Sequence, residues 1–279
     1  MANIVISKPN KFKHKVEQFI KDGKDNLHII SDCDRTLTKC VIDGVNMPAL
    51  IQMISLQESF NCDYSKKAEA LFKKYHPLEL DDKISQERKN EYMHEWWSKH
   101  YALLIKCGLN RTIIERIISK YEDVFRKYVL EFLSLLNQNE VPLLIFSSGL
   151  GDLITGFLEK EESLYQNITI VSNFFNFNNK DEVIGLKSEI VHVFNKFDIK
   201  KHASEYIKKT KERTNIILIG DSMGDLRMTE QLEFENIIRI GFLNEDVDKK
   251  IKKYEEEYDL VLFQNSSFKP ILSLLKQIS

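Results

Sequence analysis

Six short apolar runs rich in β-branched residues are spaced along the 279-residue chain. They cover residues 27–31, 142–146, 168–172, 216–219, 237–241 and 259–263. Short runs that are apolar throughout are typical of strands buried on both faces, and segments of helical pattern separate most of these runs from the second onward. The pattern therefore predicts an α/β fold whose core is a doubly wound parallel sheet covered by helices.

The gap between the first and second runs has no comparable strand pattern. Its charged, aromatic-rich segments have helical character at residues 64–75, 85–106 and 111–128. A gap of this length is too long for a structureless loop inside an ordered domain. We therefore expect a mostly helical cap at 44–129, inserted into a catalytic core made of 1–43 and 130–279.

Charge and cysteine usage narrow the class of protein. The 40 basic and 42 acidic residues nearly cancel, which argues against binding to a nucleic acid polymer or a membrane. No run approaches the ~20 apolar residues of a membrane span, and the N-terminal residues lack the pattern of a secretory signal. The four cysteines, at 33, 40, 62 and 107, form no CxxC pair, which favours reduced thiols. We expect a cytoplasmic monomer.

Two pairs of carboxylates follow predicted strands. Asp32 and Asp34 come directly after the first run, and Asp221 and Asp225 follow the fourth in a segment that contains Gly220. Ligand sites of open α/β sheets lie at the carboxyl edge, and carboxylates crowded there need a divalent cation or a shared proton to offset their repulsion. The alternatives are a turn or capping role for the first pair and an N-cap role for Asp225.

Ser147, Ser148 and Gly149 follow the second run, where hydroxyl and backbone N–H groups can bind an anion, although such residues also form ordinary turns. Alternating residues at 172–196, around an Asn-rich break that includes Gly185, predict a β-hairpin attached to the core. Lys196 ends this segment and by itself suggests a solvated surface charge. The order of the four motifs along the chain is what makes Lys196 a candidate for the site.

The four motifs are Asp32 with Asp34, Ser147, Lys196, and Asp221 with Asp225. Together they resemble those of the haloacid dehalogenase phosphatases. Longer stretches resemble the cytosolic 5'-nucleotidase III family in particular, and the likeness runs from about residue 27 to the C-terminus. These stretches are 91–97 (EYMHEWW), 145–152 (IFSSGLGD), 171–177 (VSNFFNF), 189–196 (EIVHVFNK) and 216–228 (IILIGDSMGDLRM).

The resemblance implies a Mg²⁺-dependent phosphatase in which Asp32 is the nucleophile and becomes an aspartyl-phosphate. Asp34 would protonate the leaving oxygen and then deprotonate the hydrolytic water. Lys196 would neutralise the phosphoryl oxygens. Mg²⁺ would be held by Asp32, the backbone carbonyl of Asp34 and Asp221, with Asp225 close by, whereas Ser147 and backbone N–H groups around Ser148 would bind the phosphate.

Substrate choice is expected in the cap. Alignment with the family places Glu79 where a glutamate contacts the nucleobase, and places His100 where the family has a small polar residue. Trp96 and Trp97 are candidates for stacking on a base, although aromatic residues of a helix more often pack in the core. Tyr128 replaces a glycine that the family usually has where the chain returns to the core, so the local hinge is expected to differ.

The resemblance therefore implies hydrolysis of nucleoside 5'-monophosphates to nucleoside and phosphate. It favours the pyrimidine nucleotides CMP and UMP, and 7-methylguanosine monophosphate is a second substrate to consider because its cationic base suits a carboxylate and aromatic rings. The alternatives are a phosphatase for another small phosphomonoester and a non-catalytic module that senses phosphate.

Overall fold

The computed structural model describes residues 4–42, 44–47, 49–56, 62–81, 83–264 and 266–278. Its strands are β1 (Ile4–Ile6), β2 (Leu27–Ser31), β3 (Val41–Ile42), β4 (Val45–Asn46), β5 (Leu143–Leu150), β6 (Ile168–Asn173), β7 (Phe175–Phe177), β8 (Val183–Leu186), β9 (Asn215–Gly220), β10 (Asn236–Leu243) and β11 (Leu260–Phe263).

The α-helices are α1 (Pro9–Asp22), α2 (Gln52–Ser55), α3 (Tyr64–Leu80), α4 (Gln86–Lys106), α5 (Arg111–Lys120), α6 (Val129–Gln138), α7 (Gly151–Lys160), α8 (Ile199–His202), α9 (Ser204–Thr210), α10 (Val247–Glu257) and α11 (Lys269–Ile278). Side-chain caps mark where two of them begin. Ser85 accepts a hydrogen bond from the N–H of Arg88 at the start of α4, and Asn110 accepts one from the N–H of Ile113 at the start of α5.

Seven strands form the central sheet in the order β1-β11-β10-β9-β2-β5-β6. All neighbouring pairs from β11 to β6 are parallel, and each of the six predicted runs lies in one of these strands. The predicted parallel sheet is therefore confirmed. The antiparallel edge strand β1 was not predicted, since its three residues are too few and too exposed to give a periodic signal.

The sheet is covered on both faces because alternate residues of a strand point in opposite directions. Ile29 of β2 belongs to a large buried cluster that includes residues of α1, α6, α7 and α11. The next residue, Ile30, lies in a separate cluster with Ile199 of α8 and Tyr206 of α9. Full burial of such a side chain contributes about 1.5–3 kcal/mol. The doubly wound arrangement is confirmed.

Helices α2 to α5 lie between β2 and β5 in the chain, and α3 packs against α4. The helical insertion is therefore confirmed. The structure also joins Cys62 and Cys107 in a disulfide between the segment before α3 and the end of α4. The prediction of reduced thiols is wrong for this pair and holds for Cys33 and Cys40, which are free.

Two small hairpins accompany the main sheet. Strands β7 and β8 pair antiparallel and confirm the predicted hairpin, but Gly185 lies within β8 and not in the break between the strands. Strands β3 and β4, of two residues each, were not predicted. Within the described residues no helix is long and apolar enough to cross a membrane.

Candidate active site

Three carboxylates converge at the carboxyl edge of the sheet. Strands β2 and β9 are adjacent and parallel, with Ser31 paired to Ile219, so Asp32 and Asp221 leave the sheet side by side. Asp225 joins them, and one oxygen of each carboxylate lies within 4.8 Å of the others. Burial is the main cause that raises the pKa of Asp221 to about 7, and the negative charge of Asp225 is the second cause. Crowded carboxylates of this kind, two of them buried and one partly buried, are typical of a site that holds a metal ion.

Lys196 is part of this group and is not a surface residue, since only 3% of it is exposed. Its Nζ donates to Oδ1 of Asp32 at 2.5 Å and to Oδ1 of Asp225 at 2.9 Å. Burial alone would lower the pKa of Lys196, but the two carboxylates outweigh burial and raise it. Lys196 is therefore a fixed positive charge beside Asp32.

Asp225 also fixes the shape of the loop before it. Its Oδ2 accepts hydrogen bonds from the N–H of Asp221 at 3.1 Å, and from the N–H and hydroxyl of Ser222 at 2.9 and 2.8 Å. A Cβ at Gly220 would lie 2.5 Å from the Cβ of Asp225, so the loop needs glycine there. The N-cap alternative does not describe Asp225, because these bonds run back to residues that precede it.

The side chain of Asp34 lies outside the group of three carboxylates. Its Oδ1 accepts a hydrogen bond from the N–H of Leu50 at 2.8 Å. Its Oδ2 lies so close to Gly149 that a Cβ added to this glycine would be 2.5 Å from it. Burial raises the pKa of Asp34 to about 6, against the opposing effect of the Leu50 hydrogen bond. A carboxyl group with this pKa can both give and take a proton near neutral pH.

Residues 147–149, here called the serine loop, lie in β5 where its register with β6 shifts, and Gly149 lies next to the carboxylate of Asp34. Ser147 is fully buried, and its hydroxyl accepts a hydrogen bond from the N–H of Gly149 at 3.0 Å. Ser148 is partly exposed and lines a cavity of about 640 Å³ between the insertion and the core. This segment thus reaches Asp34 through Gly149 and the cavity through Ser148.

The cavity also brings together the predicted cap residues. Among its lining side chains are Glu79, Trp96, Trp97 and His100, with Phe72 and His76 of α3. Glu79 is partly buried, and burial raises its pKa to about 7, although nearby Lys89 opposes the increase. The ring of Trp96 stacks on Tyr75 and the ring of Trp97 on Tyr101, so both tryptophans pack against other rings and also line the cavity.

His100 is held by a neighbour in α3. Its Nε2 and the hydroxyl of Tyr64 share a hydrogen bond of 2.7 Å. Burial lowers the pKa of His100 to about 4, so the ring is neutral at physiological pH. Nε2 of His100 is therefore hydrogen-bonded within the protein.

Comparison with known proteins shows to which family this chain belongs. The family model for the pyrimidine 5'-nucleotidases (UMPH-1) matches residues 35–279. The chain belongs to this family. The 7-methylguanosine phosphate-specific 5'-nucleotidase of Mus musculus is 31% identical over 278 residues, which cover 99% of this chain and 93% of the mouse protein. The protein is thus a 5'-nucleotidase, a phosphomonoester hydrolase.

Solved structures agree with this assignment. Cytosolic 5'-nucleotidase IIIB bound to cytidine superposes with a TM-score of 0.90 at 30% identity, covering 100% of this chain and 94% of that one. A substrate-bound phosphoserine phosphatase superposes with a TM-score of 0.52 at 17% identity, covering 88% of this chain and 96% of that one. The second likeness shows that the 5'-nucleotidase shares the haloacid dehalogenase fold.

Asn173 borders the candidate active site and was not predicted from the sequence. It is buried at the end of β6, and its amide donates to the carbonyl oxygens of Ser148 at 2.9 Å and Val191 at 2.8 Å. It accepts a hydrogen bond from the N–H of Val191 at 2.8 Å. Asn173 therefore ties the serine loop to the segment that leads to Lys196. Asn173 directly follows the apolar run at 168–172, and this position is the sequence signal that could have identified it.

Tyr128, at the position where the resemblance implies a glycine, has a backbone conformation that favours glycine. It precedes α6 with φ 71° and ψ 9°, in the left-handed region. This conformation costs a non-glycine residue roughly 1–2 kcal/mol. A tyrosine that packs against the core therefore adopts this left-handed conformation where the chain returns from the insertion.

Proposed function

We propose that this 5'-nucleotidase hydrolyses 7-methylguanosine 5'-monophosphate and pyrimidine nucleotides such as CMP, with Mg²⁺ as cofactor, as a cytoplasmic monomer. Residues 44–129 act as the cap that selects the nucleoside, and 1–43 with 130–279 form the core that hydrolyses the phosphate ester. The observation that carries this proposal is the cavity, whose lining includes Glu79, several aromatic rings and Ser148 of the serine loop. The names of the mouse relative and of the cytidine-bound structure support this substrate class.

The residues present fit a magnesium ion. Mg²⁺ binds oxygen ligands, and the three carboxylates lie close enough to share one ion. Asp32, Asp221 and the backbone carbonyl of Asp34 would hold it, with Asp225 close by. When bound, the ion neutralises charge on the phosphoryl oxygens.

Asp32 is the nucleophile in this proposal. A carboxylate oxygen of Asp32 forms a bond to phosphorus as the bond from phosphorus to the 5'-oxygen breaks, which leaves a phosphoryl group on Asp32. Lys196 lies 2.5 Å from this carboxylate and is placed to contact the oxygens of the transferring group. The hydroxyl of Ser147 and N–H groups around Ser148 hold the same oxygens and orient the ester for attack.

Asp34 carries the proton through both steps. In its acid form it protonates the leaving 5'-oxygen, which releases the nucleoside. As a carboxylate it then takes a proton from the water that cleaves the phosphoryl group from Asp32, which releases phosphate and restores both residues. Its pKa of about 6 suits a group that must work in both forms.

The cap residues recognise the base. An ionised Glu79 accepts hydrogen bonds from an amino group of the base and attracts the positive charge of 7-methylguanine, while Trp96 and Trp97 offer ring faces to the base. Because Tyr64 engages Nε2 of His100, the other ring nitrogen is left to contact the nucleoside. This arrangement favours cytosine over uracil and methylated guanine over guanine.

Glu79→Ala tests this assignment. The variant should raise KM for 7-methyl-GMP and CMP about tenfold, the equivalent of roughly 1.4 kcal/mol, because a charge-assisted hydrogen bond is lost. Hydrolysis of a base-free aryl phosphate should barely change. Phosphate release is measured on 7-methyl-GMP, GMP, CMP, UMP and aryl phosphate in parallel.

Glu69→Ala is the matched control, since Glu69 is another carboxylate of α3 that lines the cavity but is paired with Lys73 at 2.7 Å. It should leave the substrate order unchanged. Equal losses on every substrate in Glu79→Ala would give Glu79 a structural role. No loss on any substrate would remove it from the base pocket.

A further inference from the structure

Asn244 is a buried side chain directly beside the predicted metal carboxylate Asp221. It follows β10, is 4% exposed, and its Nδ2 lies 3.1 Å from Oδ2 of Asp221. The same Nδ2 donates to the backbone carbonyl of Arg35 at 3.0 Å, in the loop that carries Asp34. One amide group thus touches both segments that border the metal site.

The orientation of this amide is set by Arg126. Nη2 of Arg126 donates to Oδ1 of Asn244 at 2.7 Å. A guanidinium group can only donate, so the amide oxygen must face Arg126 and the NH₂ group must face Asp221. Without Arg126 the amide could rotate and present its oxygen to the carboxylate, which would repel it.

Arg126 is itself held from several sides. Only 4% of it is exposed, and Nη2 also donates to the carbonyl of Arg35 at 2.6 Å. Nη1 donates to the carbonyl of Gln264 at 2.7 Å, and the guanidinium group lies 4.2 Å from the ring centre of Phe242. These contacts fix the guanidinium group relative to β10 and to the loop after β2.

Arg126 belongs to the segment through which the chain returns from the insertion. Its backbone N–H donates to the carbonyl of Leu37 at 2.8 Å, and neighbouring Phe125 pairs with Thr38. The two connections between insertion and core therefore lie side by side. Arg126 links this junction to Asp221 through a single intervening amide.

We propose that Asn244 and Arg126 are positioning residues that orient the carboxylate of Asp221 for Mg²⁺. The inference rests on the proposed function in one respect, that Asp221 holds the metal. Residues that orient metal ligands typically change metal affinity or activity 10–100-fold when they are replaced.

Asn244→Ala should therefore weaken Mg²⁺ binding about tenfold, measured by isothermal titration calorimetry on metal-free protein without substrate. Arg126→Lys should also weaken it, since an ammonium group cannot reproduce the fork in which Nη2 contacts Asn244 and Arg35 while Nη1 contacts Gln264. At saturating Mg²⁺ the kcat/KM of Asn244→Ala should recover toward the wild-type value. Because Mg²⁺ can also stabilise the folded protein, a thermal melt of the metal-free variants distinguishes weaker Mg²⁺ binding from a loss of stability.

Asn236→Ala is the matched control, because Asn236 begins the same strand and its amide donates to Asn215 at 3.0 Å, far from the carboxyl edge. It should bind Mg²⁺ as the wild type does. Wild-type affinity in folded Asn244→Ala and Arg126→Lys would overturn the inference, and so would loss of the fold in both. If the wild-type protein binds Mg²⁺ but hydrolyses no nucleotide, the proposed function fails while these titrations still decide the role of the pair.

Discussion

Asp32→Asn should lower kcat at least about a thousandfold on every phosphomonoester, a barrier increase on the order of 4 kcal/mol. An amide is a poor nucleophile and a poor ligand for Mg²⁺, so the variant loses both functions proposed for Asp32. The fold should survive, because asparagine has nearly the same shape and Asp32 lies at the end of β2. Steady-state kinetics with Mg²⁺ and a thermal melt of the same sample give the two readouts.

Asp248→Asn is the control for this variant, since Asp248 is an exposed carboxylate in the first turn of α10. It should keep full activity. Near-normal turnover by folded Asp32→Asn in Mg²⁺-restored buffer would rule out the covalent mechanism.

Lys196→Ala should lower kcat/KM about 100-fold or more, which is the usual effect of removing a fixed positive group that stabilises a transition state. The variant also leaves Asp32 and Asp225 without their shared cation. Their repulsion should lower the melting temperature of the metal-free protein, and Mg²⁺ should restore part of it. Activity should stay low even when Mg²⁺ has restored stability, because the phosphoryl group still lacks the contact with Lys196.

Lys201→Ala is the comparison for this variant. Lys201 lies in α8 and pairs with Glu189 on the surface, where both side chains are more than half exposed. Its removal should leave kcat/KM unchanged. A loss below about threefold in Lys196→Ala would place Lys196 outside the site.

The central part of the site was predictable from the sequence because its residues follow buried parallel strands. Strands of this kind end at one edge, so the positions of Asp32 and Asp221 after apolar runs already imply that they meet. Lys196 lies on no strand of the main sheet, and only its place in the order of motifs suggested a role. Its hydrogen bonds to Asp32 and Asp225 show that Lys196 lies with these carboxylates, as the order of motifs suggested.

Contacts between the helices of the insertion could not be predicted in this way. The hydrogen bond between Tyr64 and His100 depends on how α3 packs on α4, and the spacing of these residues along the chain carries no signal for it. The same holds for the disulfide between Cys62 and Cys107, which are 45 residues apart. Asn244 was missed for a related reason, because an asparagine after a strand is also ordinary turn chemistry.

Phosphate release from 7-methyl-GMP and CMP, with and without Mg²⁺, tests the central claim most directly. The assay compares both nucleotides with GMP and a base-free aryl phosphate at equal concentration. We predict Mg²⁺-dependent release that is fastest from 7-methyl-GMP and CMP and abolished by a chelator. Release that is equal for nucleotides and aryl phosphate, or that persists without a divalent cation, would contradict the proposed account of the site.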